Sequence, residues 1–293
     1  MILVTGATGN IGGKVLARLR AAGHPVRALT RDPDRAQLPT GIEVVGADLG
    51  RPETLPAALD GVRKVFLMSL GADKTVHDAN LVAAAGKAGV QHIVQLSTLG
   101  VETAAGEGRY PIGDWHRSAE EALRASAVPW TILRPNGFMS MAFAWAPSIR
   151  AEGVVRAPVA DVPEAVVDPR DVAEAAARVL TSPGHEGAVY SLTGPAGLTV
   201  PQQVEIVGQV LGRTLRFETV TLEEQREVML RYFSAETVDG VIRSIRYVIE
   251  SGDRLAGTVF DDVRRLLGRA PRSLREWAED HKDAFLAHSA AGA

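Results

Sequence analysis

The run Val4-Thr5-Gly6-Ala7-Thr8-Gly9-Asn10-Ile11-Gly12-Gly13 constrains this chain more than any other stretch, because it stands directly behind the apolar triplet Ile2-Leu3-Val4. It reads as a strand, a tight glycine turn and a helix start in immediate succession. That layout seats a dinucleotide pyrophosphate. Gly6 lets the chain leave the strand in a tight turn, Gly9 brings the backbone close to the phosphates, and Gly12 lets the new helix pack tightly on the sheet. Thr8, Asn10 and Ile11 complete the loop. Unpaired N–H groups and the positive end of the dipole at the helix start favour an anion. The plain alternative is an ordinary strand-to-helix turn. Context favours the nucleotide: a helix over 11–22 places Ile11, Val15, Leu16 and Leu19 on one face, and a second strand, Val26–Thr30, follows.

The end of that second strand selects the cofactor. NAD sites usually place Asp or Glu there for the ribose 2′-hydroxyl, whereas this chain has Thr30-Arg31. A guanidinium forms a fork of charge-assisted hydrogen bonds to a 2′-phosphate, so Arg31 points to NADP(H). The competing reading is a solvated loop arginine paired with Asp32 or Asp34.

With 293 residues and 46% hydrophobic content, the chain has enough material for one large α/β unit, or a domain with a smaller lobe. It has no cysteine, so disulfides, thiolate nucleophiles and cysteine-metal sites are excluded. A net charge of −3 without a concentrated basic stripe argues against nucleic acid. The opening MILVTGATG is read as the first strand rather than a signal peptide, and no apolar run reaches membrane-spanning length. The expected setting is cytoplasmic, as a monomer or homodimer.

Further strands are expected at Ile42–Leu49, Val62–Leu70, His92–Ser97 and Trp130–Arg134, alternating with helices at 51–59, 74–88 and 114–125. Near-continuous apolar strands alternating with helices predict a parallel sheet covered on both faces, with ligands at the strands' carboxyl ends. The fold class is therefore α/β, a Rossmann-type doubly wound parallel sheet with a smaller, mainly helical C-terminal substrate lobe. Residues 1–135 form the nucleotide-binding domain, its sheet completed by 165–194; residues 136–164 and 195–293 form the lobe. Within these, Gly153–Pro158 reads as a short strand, and Asp168 reads as the cap of a helix with proline at its first position, running to Leu180. Later helices are expected at 201–211, 222–233, 235–250, 261–267 and 272–286, and the tail 287–293 is expected to fray.

With these residues in view, the chain resembles the atypical short-chain dehydrogenase/reductase group, most closely its NmrA-like and NADPH:quinone-reductase-like branch. The glycine loop, Leu29-Thr30-Arg31-Asp32-Pro33, Gly46-Ala47-Asp48-Leu49, Trp115-His116-Arg117-Ser118-Ala119-Glu120 and Thr131-Ile132-Leu133-Arg134-Pro135-Asn136 carry the resemblance. It implies that Asp48 and Leu49 flank the adenine, that Met68, Ser69 and Leu70 line the nicotinamide-ribose side, and that Pro135, Asn136 and Phe138 lie near the nicotinamide. Ser97 is a further cofactor contact and a candidate catalytic hydroxyl. Without the family pattern, Asp48 reads equally as a loop or helix-capping carboxylate, and Ser69 and Ser97 as strand-end hydroxyls bonded to nearby backbone.

One departure bears on mechanism. The superfamily reaction uses a tyrosine with a lysine four residues later, but Tyr110, Tyr190, Tyr232 and Tyr247 are followed there by Asp114, Gly194, Glu236 and Ser251. Where the pair belongs, this chain has His116 and Glu120, which share a helix face and are placed to hydrogen-bond as a structural pair. The competing role for His116 is catalytic: an imidazole of ordinary pKa delivering the final proton. Reduction of an isolated ketone generates a strongly basic alkoxide and needs a good acid. A quinone or conjugated enone delivers charge to a phenolate or enolate, for which positioning and a few hydrogen bonds suffice.

Tyr110, Trp115, Met141, Phe143 and Trp145 supply flat or polarizable surface suited to an aromatic acceptor, although such residues also serve as core packing. The histidines are scattered and form no recognisable metal set, and no Gly-x-Ser-x-Gly elbow occurs. Two functions are expected to compete. One is an NADPH-dependent reductase of a quinone, enone or related aromatic molecule. The other is a non-catalytic NADP(H)-binding redox sensor of the NmrA type.

Overall fold

The computed structural model describes residues 1–103, 108–252 and 254–286. The first half alternates strand and helix: β1 (Ile2–Val4), α1 (Gly12–Ala21), β2 (Val26–Thr30), β3 (Glu43–Gly46), α2 (Leu55–Leu59), β4 (Lys64–Leu67), α3 (Lys74–Lys87) and β5 (His92–Leu96). Then come α4 (Pro111–Arg124), β6 (Trp130–Pro135), α5 (Ala146–Glu152), β7 (Val154–Ala157), α6 (Pro169–Thr181), β8 (Val189–Leu192), α7 (Val200–Leu211) and β9 (Arg216–Thr219). The chain closes with α8 (Leu222–Met229), α9 (Ala235–Ser251), α10 (Asp262–Leu267), α11 (Leu274–Asp280) and α12 (Lys282–Leu286).

Seven strands form one sheet in the order β3-β2-β1-β4-β5-β6-β8, and every pair is parallel. The order reverses between β1 and β4, which opens a crevice at the carboxyl end of β1. Both faces are covered. Val15, Leu16 and Leu19 of α1 join Val172, Ala176 and Val179 of α6 on one side. Leu55 and Leu59 of α2, Leu81 and Ala85 of α3 and Leu123 of α4 cover the other. All five residues of β5 are buried, as expected of a central strand with helices above and below. Burial of each large aliphatic side chain stabilises the fold by ~1.5–3 kcal/mol.

The lobe has its own core, in which Met139, Ile149, Val155, Val204, Val207, Leu274, Trp277 and Phe285 are buried together. Several sequence expectations change here. The expected helix over 272–286 is two helices, α11 and α12, parted at His281. The expected helix over 222–233 ends at Met229, and Ser234 caps α9 by accepting a hydrogen bond from the Thr237 backbone. The strands expected at 42–49 and 62–70 shorten to 43–46 and 64–67. β9 was not anticipated; it pairs in parallel with β7 as a separate two-stranded ribbon. Asp168 caps α6 as expected, accepting from the Arg170 backbone at 2.7 Å. The tail at 287–293 lies outside the described residues.

Two buried acids on α6 fasten the lobe to the nucleotide-binding domain. Asp171 accepts from Arg269 Nη2 and from the Arg272 backbone N–H, each at 2.7 Å, and also pairs with the Arg272 guanidinium. Asp168 pairs with Arg170, which reaches on to Asp280 of α11 at 2.5 Å.

Trp277 is the largest buried side chain of the lobe, with the Phe143 ring 4.9 Å away and the His281 ring stacked at 4.8 Å. Trp277→Ala is expected to cost about 3–5 kcal/mol of stability. Chemical denaturation followed by far-ultraviolet circular dichroism measures the loss.

Candidate cofactor and acceptor site

The glycine loop is built on one steric constraint. A Cβ on Gly12 would collide with the carbonyl group of Gly6 and the carbonyl oxygen of Thr5, so only glycine lets α1 begin directly over the loop. Gly12 therefore packs on the loop backbone itself rather than on the sheet. Gly6 turns with φ +60°, a conformation side chains rarely adopt. Thr5 ties this turn to the neighbouring strand end: its hydroxyl donates to Met68 O at 2.8 Å and accepts from Met68 N at 2.7 Å. Met68 then lies alongside Gly6.

Thr8, Gly9 and Asn10 are exposed at the crevice, while Ile11 and Gly12 are buried beneath it. The N-terminus of α1 has no side-chain cap and no acid in its first turn, whereas Asp168, Thr199 and Ser234 cap α6, α7 and α9. These open N–H groups fit a pyrophosphate. Asn10 Nδ2 donates to Ser140 Oγ at 2.8 Å, linking the loop to the segment after β6. Lys14 Nζ donates to Asn10 Oδ1 at 2.7 Å and to its carbonyl at 3.1 Å. Burial lowers the Lys14 pKa, with nearby Asp168 opposing the shift. Lys14 and Ser140 were absent from the sequence reading. The i,i+4 spacing of Asn10 and Lys14 was a usable signal for the first; nothing in the sequence indicated the second.

Arg31 is exposed at the end of β2 and makes no hydrogen bond or ion pair with any described residue. The alternative pairing with Asp32 or Asp34 does not form; Asp32 instead faces Arg35 at 3.9 Å. A free guanidinium at this position fits a 2′-phosphate. Asp48 acts as a loop carboxylate, its Oδ1 accepting from Gly50 N at 2.9 Å. Leu49 is buried, and its carbonyl accepts from Asn80 at 2.8 Å.

At the end of β4, Ser69 donates to Asp78 Oδ1 at 2.5 Å rather than to backbone, and Leu70 is 72% exposed. Asp78 is fully buried, paired with Lys74 at 2.8 Å and hydrogen-bonded by Gln95 Nε2 at 2.8 Å. At the end of β5, Ser97 also binds a side chain, donating to Glu120 Oε1 at 2.6 Å. Glu120 holds Arg134 through two further bonds of 2.8 and 2.5 Å, and Arg134 also pairs with Glu102. Ser97 is thus tied into a buried ion-pair network, and its only proton is already engaged there.

The expected His116–Glu120 bond gives way for the same reason: both Glu120 oxygens serve Ser97, Arg134 and Arg124. His116 Nδ1 is buried with no hydrogen-bond partner. Burial, reinforced by the positive charge of Lys74, holds the imidazole well below its ordinary pKa. This corrects the expectation of a histidine poised at neutrality. His116 is a neutral ring, not a stored acid.

After β6, Pro135 is buried, Asn136 N donates to Leu192 O at 3.0 Å, and Asn136 Nδ2 donates to Ala256 O at 2.5 Å. Phe138 bridges to Val167 and packs on the sheet's core. The aromatic candidates divide. Trp115 lies over Gly240 of α9, while Tyr110 packs against Gly100, Gly113 and the Tyr247 ring at 5.9 Å. Phe143 sits among Trp277, His281 and Phe285, and Trp145 borders the lobe core. Each of these rings has a packing neighbour, and Phe143 is still 37% exposed. Met141 is 66% exposed. A carboxylate that the sequence reading missed, Glu164, lies directly on Gly137, where a Cβ would collide with its Oε1.

A parallel doubly wound sheet with an open glycine loop at its switch point defines a dinucleotide-binding scaffold. The chain matches the NAD(P)H-binding family over residues 6–183 and belongs to it. It is 41% identical to the (4-alkanoyl-5-oxo-2,5-dihydrofuran-3-yl)methyl phosphate reductase of Streptomyces griseus, over 97% of this chain and 99% of that one. It is 35% identical to the NAD(P)H azoreductase of Xenophilus azovorans, over 97% and 99% of the respective chains. The crystal structure of an NADPH-dependent quinone oxidoreductase from Escherichia coli, complexed with NADPH, superposes with a TM-score of 0.80 at 27% identity, covering 96% of this chain and 99% of that one. Among the described residues, no helix is long and apolar enough to cross a membrane.

Because the folded state holds His116 neutral, the unfolded chain binds the extra proton as pH falls below about 6.5. Stability contributed by the neutral ring is therefore present above that pH and lost below it, by up to about 1.4 kcal/mol per pH unit until the folded ring also titrates. In His116→Gln, the fall of stability between about pH 6.5 and pH 5 is expected to be shallower than in wild type. Urea denaturation across that range reads the difference.

Proposed function

We propose that this protein is an NADPH-dependent reductase that moves a hydride onto a conjugated acceptor, a quinone, enone or related aromatic molecule. The observation that carries the reading is an open phosphate cradle beside a site whose histidine is held neutral. An isolated ketone would need a strong acid as its alkoxide forms; a conjugated acceptor spreads the charge and does not. No tyrosine in the chain has a lysine four residues later. The relatives' names describe acceptors of the same kind: an unsaturated dihydrofuranone, an azo compound and a quinone.

The N-terminus of α1 and Gly9 would hold the pyrophosphate, and Arg31 the 2′-phosphate. Asp48 and Leu49 would border the adenine; Met68, Ser69, Leu70, Pro135, Asn136 and Phe138 would shape the nicotinamide side. When bound, the reduced nicotinamide supplies the hydride. The buried Lys74–Asp78 pair fixes Ser69, and the Arg134–Glu120 pair fixes the end of β6 that leads into Pro135. His116 offers a neutral ring nitrogen as a hydrogen-bonding group for the acceptor. This polarises the acceptor without giving up a charge.

Purified protein mixed with NADPH and a panel of quinones, enones and isolated ketones tests the reading. Reduced-cofactor absorbance is expected to fall with the conjugated acceptors and to stay constant with isolated ketones. No turnover across the panel, with NADPH binding intact, would replace the enzyme by a redox sensor. Arg31→Ala is expected to weaken NADPH binding roughly 10- to 100-fold, the loss of about 1.5–3 kcal/mol in charge-assisted bonds. NADH binding should be nearly unchanged; equal losses in calorimetry would remove Arg31 from the site.

A further inference from the structure

Glu164 is a partly buried carboxyl with no cation beside it among the described residues. It forms no ion pair with any described residue, and no charged side chain is among the causes of its altered acidity. Burial pushes its carboxyl up, and a hydrogen bond from the Gly137 backbone only partly offsets this. Its own backbone is clamped to Leu198 by paired bonds of 3.0 Å. The adjoining Ala165 N donates to Ala256 O at 2.7 Å, the same carbonyl that Asn136 Nδ2 reaches, and Pro163 lies against Gly257. The main chain on either side of Glu164 is thus fixed against the turn that follows β6. Gly137 accommodates it by lacking a Cβ, since any side chain there would occupy the position of the carboxyl.

A structural carboxylate is ordinarily paired with an arginine or lysine, as Asp78, Glu120, Asp168 and Asp171 are here. Glu164 is the exception, and it stands beside Asn136 and Phe138, at the end of the sheet where the acceptor would meet the nicotinamide. A conjugated acceptor needs no strong acid while the hydride moves, but its enolate must still gain a proton at the α-carbon; the neutral His116 holds no spare proton, and the Ser97 proton is engaged by Glu120.

We propose that Glu164 is the catalytic acid that returns the proton to the reduced acceptor; this rests on the reductase reading above. The hydride forms a C–H bond at the β-carbon of an enone, and the C=C electron pair moves toward the carbonyl oxygen. The O–H bond of Glu164 then breaks as a C–H bond forms at the α-carbon. The resulting carboxylate regains its proton from water. NADPH is oxidised and the enone is reduced by two electrons. A carboxyl whose acidity is weakened by burial is suited to this step because its charged form is held only briefly.

Glu164→Gln preserves shape and removes the acid. Infrared difference spectra between wild type and this variant, taken without nucleotide at about pH 6, where an ordinary glutamate is ionised, should show a protonated carboxyl band only in wild type. In deuterated water with an α-methyl cyclic enone, wild type should deuterate one face of the α-carbon. The variant should bind NADPH with unchanged affinity, lower kcat at least about tenfold with little change in KM, and scatter deuterium over both faces. Absence of the carboxyl band overturns the proposal whether or not an acceptor is found. Equal rates and equal facial selectivity in the two proteins also overturn it. Failure of the wild type to reduce any acceptor is a different result, which removes the reductase reading itself.

Discussion

The contact between Gly12 and the carbonyl of Gly6 is the constraint on which the rest of the site depends. It seats the first turn of α1 directly above the switch point of the sheet, with no side-chain cap and no acid in that turn. Any Cβ at residue 12 would push the helix back and tilt its dipole away from the crevice. The Thr5–Met68 bonds then lock the glycine turn to the end of β4, so the two are held as one unit.

Around this cradle, charge is buried in pairs, and the pairs sit at joints. Lys74 with Asp78 fixes the ends of β4 and β5; Arg134 with Glu120 fixes the approach to Asn136; Asp171 with Arg269 and Arg272 joins α6 to the lobe. Such pairs add little net stability over apolar packing. Removing one partner, however, strands the other in a dry interior at about 3–5 kcal/mol. Their effect is therefore to specify geometry.

The parallel sheet was legible because its evidence is local: apolar strands, glycine turns and helices recur within short windows, and the Asp168 cap is a four-residue pattern. β9 was not legible. Its residues Arg216-Phe217-Glu218-Thr219 carry no apolar run, and only pairing with β7 makes them a strand. The sequence likewise does not show that Phe143 meets Trp277, more than a hundred residues later in the chain. The neutrality of His116 likewise depends on burial by the folded chain, with a smaller contribution from Lys74, one helix earlier. Glu164 was invisible for the same reason. Its significance lies in meeting Gly137 and in having no cation, and neither property is written in adjacent residues.

The Asp171 junction has a consequence for how the two halves relate. Its carboxylate is fully buried and takes its donors from the segment between α10 and α11. Swinging the lobe outward as a rigid body would strip those donors from a charge that water does not reach. α8 has no such anchor: it buries no residue, and Tyr232 and Phe233 just after it stand in solvent, so the hold on the lobe is concentrated at Asp171.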